Sequence, residues 1–210
     1  MTDRGANAGE QVVGLLLAGG SARRMGGGDK CLRRLGGRTL LEIVRDRLAP
    51  QVGPMVLSAN GEAARFAAFG LPVVADQAPG GQGPLAGILS GLEWARDNAP
   101  RAGWLLSVPT DAPFIPPDLV ARLVVPCRKG DADMACAASG GRRHPVIALW
   151  PLSIAPALSQ ALLGDGIRKI DRFTGAWRVA AVDWPSTPHD PFFNANRPDD
   201  LAIAEEMIGE

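Results

Sequence analysis

What most constrains this chain is a repeated switch of hydrophobic period along its first half. Gln11–Leu17 is a continuous apolar run that halts at Ala18-Gly19-Gly20; it is too short for a helix and reads as a strand buried on both faces. Residues 39–48 then place Leu40, Leu41, Val44 and Leu48 at helical spacing, with Thr39 as the N-cap and Pro50 just past the end. The cycle repeats with a strand at 54–58, a helix at 62–69, a strand at 71–75, a helix at 84–97 and a strand at 103–108. Strands alternating with helices imply right-handed crossovers and a mostly parallel sheet covered on both faces, an α/β fold. Beyond Asp111 the order loosens. It predicts a helix at 117–125, strands at 133–138 and 144–150, a helix at 152–163, a strand at 177–184 and a last helix at 198–207.

No linker or repeat divides the pattern, so residues 11–210 are expected to form one domain behind a polar tail at 1–10, with functional halves at 11–115 and 116–210. The chain has 26 glycines and 18 prolines in 210 residues, many turns but short of a disordered composition. With 22 basic and 22 acidic side chains it is formally neutral, which argues against a broadly basic nucleic-acid binder. The neutrality is a sum over opposed regions: Arg23, Arg24, Lys30, Arg33, Arg34 and Arg38 crowd one segment, and acids dominate residues 190–210. The N-terminus lacks a basic-then-apolar layout, and no run reaches the roughly 18 apolar residues of a membrane helix. Cys31, Cys127 and Cys136 are odd in number and lack a C-x-x-C pair, which argues against disulfides or structural zinc. A reduced, cytoplasmic protein is expected.

In open α/β sheets ligands sit beyond the carboxyl ends of the strands. After the first strand comes Leu17-Ala18-Gly19-Gly20-Ser21-Ala22-Arg23-Arg24-Met25-Gly26-Gly27-Gly28-Asp29-Lys30, rich in glycines and cations and suited to phosphate. It fits neither the Walker pattern nor G-x-G-x-x-G. After the second strand stand Ser58, Ala59 and Asn60, which read either as base or ribose contacts or as a helix cap. Asp76 follows the third strand, as a nucleotide ligand or a turn residue, and Asp111 lies between Pro109 and Pro113 after the fourth. Carboxylates beside a cationic loop are reconciled by a magnesium ion arriving with a nucleotide. Gly83-Pro84 opens the next helix, with Pro84 in its first turn. Farther on, Arg142, Arg143 and His144 form a cationic group, and Asn194 and Asn196 precede the last helix.

The stretch from Leu17 to Lys30 resembles the nucleotide-binding signature of nucleoside-triphosphate-dependent nucleotidyltransferases. The ordered set of Asp76, Gly83-Pro84-Leu85-Ala86-Gly87, Pro109-Thr110-Asp111-x-Pro113, His144-Pro145-x-Ile147 and Phe193-Asn194-x-Asn196-x-Pro198 narrows the resemblance to the molybdenum cofactor guanylyltransferases. It implies a Rossmann-like three-layer nucleotidyltransferase fold. The activity it implies is transfer of GMP from Mg-GTP to the phosphate of molybdopterin or molybdenum cofactor, with release of pyrophosphate. By that resemblance Leu17, Ala18 and Gly19 contact the nucleotide, Lys30 its phosphates, Asp76 the nucleoside part or the metal region, and Asp111 binds Mg²⁺. Ser58 stands where the family usually has asparagine. Arg23 and Lys30 are expected to offset charge in the reaction, and residues 116–210 to hold the pterin through Arg143, His144, Asn194 and Asn196. Transient contact with cofactor-inserting proteins or recipient molybdoenzymes is implied; nucleic-acid and membrane partners are not expected. Alternatives are a CTP-dependent relative acting on the same pterin, a sugar-phosphate nucleotidyltransferase, and a binding module that retains the fold without turnover.

Overall fold

The structure, a computed structural model, describes residues 11–19, 29–76 and 83–209. Its strands are β1 (Gln11–Leu17), β2 (Arg34–Leu35), β3 (Arg38–Thr39), β4 (Met55–Ser58), β5 (Val73–Val74), β6 (Ala102–Pro109), β7 (Met134–Ser139), β8 (Arg142–Pro151) and β9 (Val179–Trp184). Seven of them form one sheet in the order β5-β4-β1-β6-β8-β7-β9, and β2 and β3 form a separate hairpin. Within the large sheet β1 pairs in parallel with β4 and β6, while β8 runs antiparallel to both β6 and β7. β1 is central and covered on both sides, which is why its apolar run does not alternate with polar residues.

Helices α1 (Leu40–Leu48), α2 (Pro84–Asn98), α3 (Leu119–Arg128), α4 (Ala155–Ser159), α5 (Ile170–Thr174) and α6 (Pro198–Gly209) complete the fold. Leu85, Ile88, Leu89 and Leu92 of α2 pack with Leu158 and Phe173 against one face of the sheet. Leu41, Val44 and Leu48 of α1 pack with Leu119 and Leu123 of α3 against the other. The result is three layers. A smaller cluster, Leu35, Leu40, Ile43, Ala195 and Ala204, seats α6 and the β2–β3 hairpin on α1.

Thr39 is the predicted cap: its Oγ1 accepts the Glu42 N–H at 3.2 Å while Glu42 Oε2 accepts the Thr39 N–H at 2.7 Å, a reciprocal capping box. Three predicted helices differ. Residues 62–69 form a 3-10 helix, Ala63–Phe69, because Phe66 is its one buried anchor and Gly70 ends it at φ 65°. The segment from Leu152 passes from 3-10 through α4 into a π-turn at Gln160–Gly164. α3 continues past Pro126, which sits near the helix end. The hairpin β2–β3 and the short α5 were not anticipated.

Candidate active site

The carboxyl end of β1 is clamped from both sides. Ala18 N–H donates to Ser58 O at 2.9 Å, while Leu17 O accepts from Thr110 N–H at 3.2 Å and Thr110 Oγ1 at 3.1 Å. This brings Leu17, Ala18 and Gly19 to the point where β4 and β6 also end, the edge at which ligands of parallel sheets bind. A Cβ built at Gly19 meets nothing within 4 Å among the described residues. Arg23 lies outside the described residues.

Lys30 opens a one-turn 3-10 helix, Lys30–Leu32, whose Cys31 is buried at 1 % exposure among the residues of α1 and α3. The neighbouring Asp29 accepts from Arg65 Nε at 2.5 Å. Held on both sides, Lys30 points its ammonium at two oxygens, Asp111 Oδ2 and Asn196 Oδ1, each at 2.5 Å. Asp111 follows β6, and its carbonyl accepts the Ala195 N–H at 2.9 Å, so the segment ahead of α6 is bound to the sheet edge. Asn196 is fixed further because Asp200 Oδ2, in the first turn of α6, accepts both the Asn196 and Arg197 N–H groups at 2.7 Å.

On the other side of β1, Asp76 is held by three hydrogen bonds. Ser58 Oγ donates to Oδ1 at 3.3 Å, Asn60 Nδ2 donates to Oδ2 at 2.7 Å, and Asp76 N–H donates to Asn60 Oδ1 at 2.9 Å. Asn60 thereby commits its amide to Asp76. α2 approaches this corner so closely that Gly87 is required: a Cβ there would lie 2.6 Å from Ser58 Oγ and 2.8 Å from Leu17 Cδ2.

The cationic group in the second half divides. Gly140 and Gly141, at φ 54° and 73°, make the tight turn that joins β7 to β8, a geometry favoured in two-residue hairpins. Successive strand residues face opposite ways. Arg143 lines an open cavity of about 420 Å³ with Pro145, Asp171, Thr174 and Trp177 beside α5. His144 lies on the other face, with its Nε2 2.7 Å from Ser139 Oγ and its ring 5.0 Å from that of Phe192. Burial lowers the His144 imidazole below its ordinary value, with Asp190 opposing and Arg142 reinforcing the shift. Asn194 Oδ1 is buried without a hydrogen-bond partner among the described residues. Lys30, Asp111 and Asn196 therefore converge, Asp76 and Ser58 form a second group across β1, and Arg143 stands apart from both. Thr110, Ser139, Asp190 and Arg65 were not singled out from sequence; their partners are remote along the chain, and no local spacing marks them.

Residues 14–184 match the family model of the MobA-like NTP transferase domain. A molybdenum cofactor guanylyltransferase of Bradyrhizobium sp. (strain ORS 278) is 58% identical over 196 residues, covering 93% of this chain and 92% of its own length. The chain belongs to the molybdenum cofactor guanylyltransferase family. A relative of the same description from Mesorhizobium japonicum is 44% identical over 94% of this chain and 96% of its own. Among solved structures, the molybdopterin-guanine dinucleotide biosynthesis protein A of Archaeoglobus fulgidus superposes with a TM-score of 0.74 at 28% identity, covering 94% of this chain and 98% of its own. The chain is thus a nucleotidyltransferase with the expected mostly parallel α/β architecture, and the cytidylyl and sugar-phosphate alternatives are not favoured. Enzymes of this family generally use a divalent metal. Among the described residues no three His, Cys, Asp or Glu side chains gather as a metal group, and no helix is long and apolar enough to cross a membrane.

Proposed function

We propose that this protein transfers GMP from Mg-GTP to the terminal phosphate of molybdopterin, or of its molybdenum-loaded form, in the cytoplasm. The observation that carries the reading is the convergence of Lys30, Asp111 and Asn196 near the carboxyl end of β1. In the reaction an acceptor phosphate oxygen attacks the α-phosphorus, a new P–O–P bond forms, and the bond to the bridging oxygen breaks as pyrophosphate leaves with the electron pair. The acceptor is already ionised, so no general base is needed. Catalysis rests on alignment and on neutralising charge.

Backbone groups of Leu17, Ala18 and Gly19 line the nucleotide, and Asp76, with Ser58 beneath it, faces the nucleoside part. Asp111 Oδ2 and Asn196 Oδ1 are hard oxygen donors that already surround one cation, the Lys30 ammonium. That donor chemistry suits magnesium, which takes one or two protein oxygens and completes its shell with phosphate and water. Asp111 would hold it, and when bound it supplies charge neutralisation at the phosphates. Lys30, released from Asp111, turns its charge to the phosphates, and Arg23 adds a second cation. The pterin is held by residues 116–210, with Asn194 and Asn196 nearest the reacting groups and Arg143 farther along the carboxyl edge. The chain acts as one domain with a nucleotide half at 11–115 and a pterin half at 116–210. Cofactor-inserting proteins or recipient molybdoenzymes take the product in transient complexes.

The test is pyrophosphate release from Mg-GTP with and without molybdopterin. Release that depends on the pterin, and that falls at least about 100-fold in Asp111→Asn, is expected. A protein that releases no pyrophosphate with both substrates present contradicts the reading.

A further inference from the structure

Ser139 ends β7 at 2 % exposure, and its hydroxyl has two partners: His144 Nε2 at 2.7 Å and Asp190 Oδ1 at 2.8 Å. A serine hydroxyl has one proton to give, and an ionised carboxylate only accepts. Asp190 Oδ1 also accepts the Phe192 N–H at 2.9 Å, so the Ser139 proton is committed to Asp190. The remaining bond then has one possible direction. His144 donates, with hydrogen on Nε2, and the chain runs from His144 Nε2–H through Ser139 Oγ–H to the Asp190 carboxylate.

This chain grips one end of the strap 190–196. The His144 ring lies against Phe192, which is 1 % exposed and meets Trp184 edge-on at 5.3 Å. At the other end of the strap Ala195 N–H is bonded to Asp111 O at 2.9 Å and Asn196 Oδ1 meets Lys30 Nζ at 2.5 Å. The strap is the connection between the histidine and the reacting centre. His144 uses its Nε2 on Ser139 and one ring face on Phe192, which leaves those atoms no role in touching substrate.

We propose that His144, Ser139 and Asp190 are positioning residues for nucleotidyl transfer: their hydrogen-bonded chain fixes the strap 190–196 and, through it, Asn196 at Lys30 and Asp111. The proposal rests on the activity assigned above. It moves His144 from pterin ligand to support of the site, and it brings Ser139 and Asp190 into the reaction's scaffold.

The experiment compares the wild type with Ser139→Ala, His144→Leu and His144→Gln, the last retaining an N–H donor at similar reach. Kinetics with Mg-GTP and molybdopterin are paired with amide hydrogen exchange over 190–197. Ser139→Ala and His144→Leu are expected to lose roughly 10- to 100-fold in kcat, as for a displaced catalytic group, with the KM for GTP within about threefold. Exchange in the strap rises in both, and His144→Gln recovers most of the lost kcat. Unchanged strap exchange in Ser139→Ala overturns the proposal, and so does wild-type kcat in that variant. If the variants fail to fold, nitrogen-15 correlations of the wild-type imidazole decide: hydrogen on Nε2 supports the chain, and hydrogen on Nδ1 alone overturns it. An inactive wild type refutes the assigned activity, while exchange and tautomer still decide the strap.

Discussion

Gly87 offers a perturbation whose outcome follows from two distances. Adding one methyl places a Cβ 2.6 Å from Ser58 Oγ and 2.8 Å from Leu17 Cδ2, where ordinary contact begins near 3.4 Å, so these groups must retreat by about 0.8 and 0.6 Å. Overpacking of this kind costs about 1–3 kcal/mol. Alanine in a helix interior recovers about 1 kcal/mol over glycine, leaving a net loss of roughly 0–2 kcal/mol. For a chain of 210 residues that lowers Tm by about 0–8 °C. Gly91, one turn along α2, is the control: its Cβ would lie 2.7 Å from Leu15 Cδ2, an equal crowding deeper in the core. Both alanine variants are therefore expected to show similar, modest drops in Tm. They part in activity, because the groups displaced by Gly87→Ala are the two strand ends proposed above to line the nucleotide. The KM for GTP should rise roughly tenfold or more in Gly87→Ala and stay within about twofold in Gly91→Ala, since the first displaces groups proposed to touch the nucleotide and the second only Leu15 in the core. Calorimetry and steady-state kinetics read the two effects separately. Equal KM in both variants would refute the placement of the nucleotide against Ser58 and Leu17.

Ser107 joins Trp150 Nε1, at 2.9 Å, to the carbonyl of Val146, at 2.6 Å, with both side chains 0 % exposed; Ser107→Ala leaves a buried indole N–H unpaired and should cost about 1–3 kcal/mol by denaturant titration. Burial pushes the Cys31 thiol up to about 12 and Cys127 to about 11, and raises Cys136, so a thiol reagent at pH 8 should label none of the three in the native protein and all three in denaturant. His144 is held below its ordinary 6.5 chiefly by burial, so the unfolded chain binds the proton first as pH falls. Its contribution to stability is full above 6.5 and is lost as pH drops through the lower native value; Tm measured from pH 7 to 5 should fall less in His144→Gln than in the wild type.

The fold of residues 11–115 was legible because its signals are local. β1 announces itself as an unbroken apolar run, Thr39 caps α1 as its spacing with Glu42 requires, and Asp111 is fixed by flanking prolines and the end of β6. The second half misleads for a geometric reason. Arg143 and His144 are adjacent in sequence and look like one cationic site, yet a strand sends neighbours to opposite faces, so one lines the cavity by α5 and the other meets Phe192. Ser139 and Asp190 lie 51 residues apart and bond only because the end of β7 and the strap ahead of α6 reach the same edge. The 3-10 helix Ala63–Phe69 has helical spacing but one buried anchor, too little for periodicity to distinguish it from an α-helix. Asn60, two residues beyond Ser58, spends its amide on Asp76, a pairing across 16 residues that no local spacing marks.

The central claim is that Lys30, Asp111 and Asn196 surround the phosphates of a guanine nucleotide during its transfer to a pterin. The most direct measurement is mass analysis of the product formed when molybdopterin is offered equal GTP and CTP in the presence of magnesium. The account predicts the pterin plus GMP as the dominant product, formed with one pyrophosphate per turnover, and its loss when Lys30 is changed to alanine. A cytidylated pterin, or guanylated product at wild-type rate without Lys30, would contradict it.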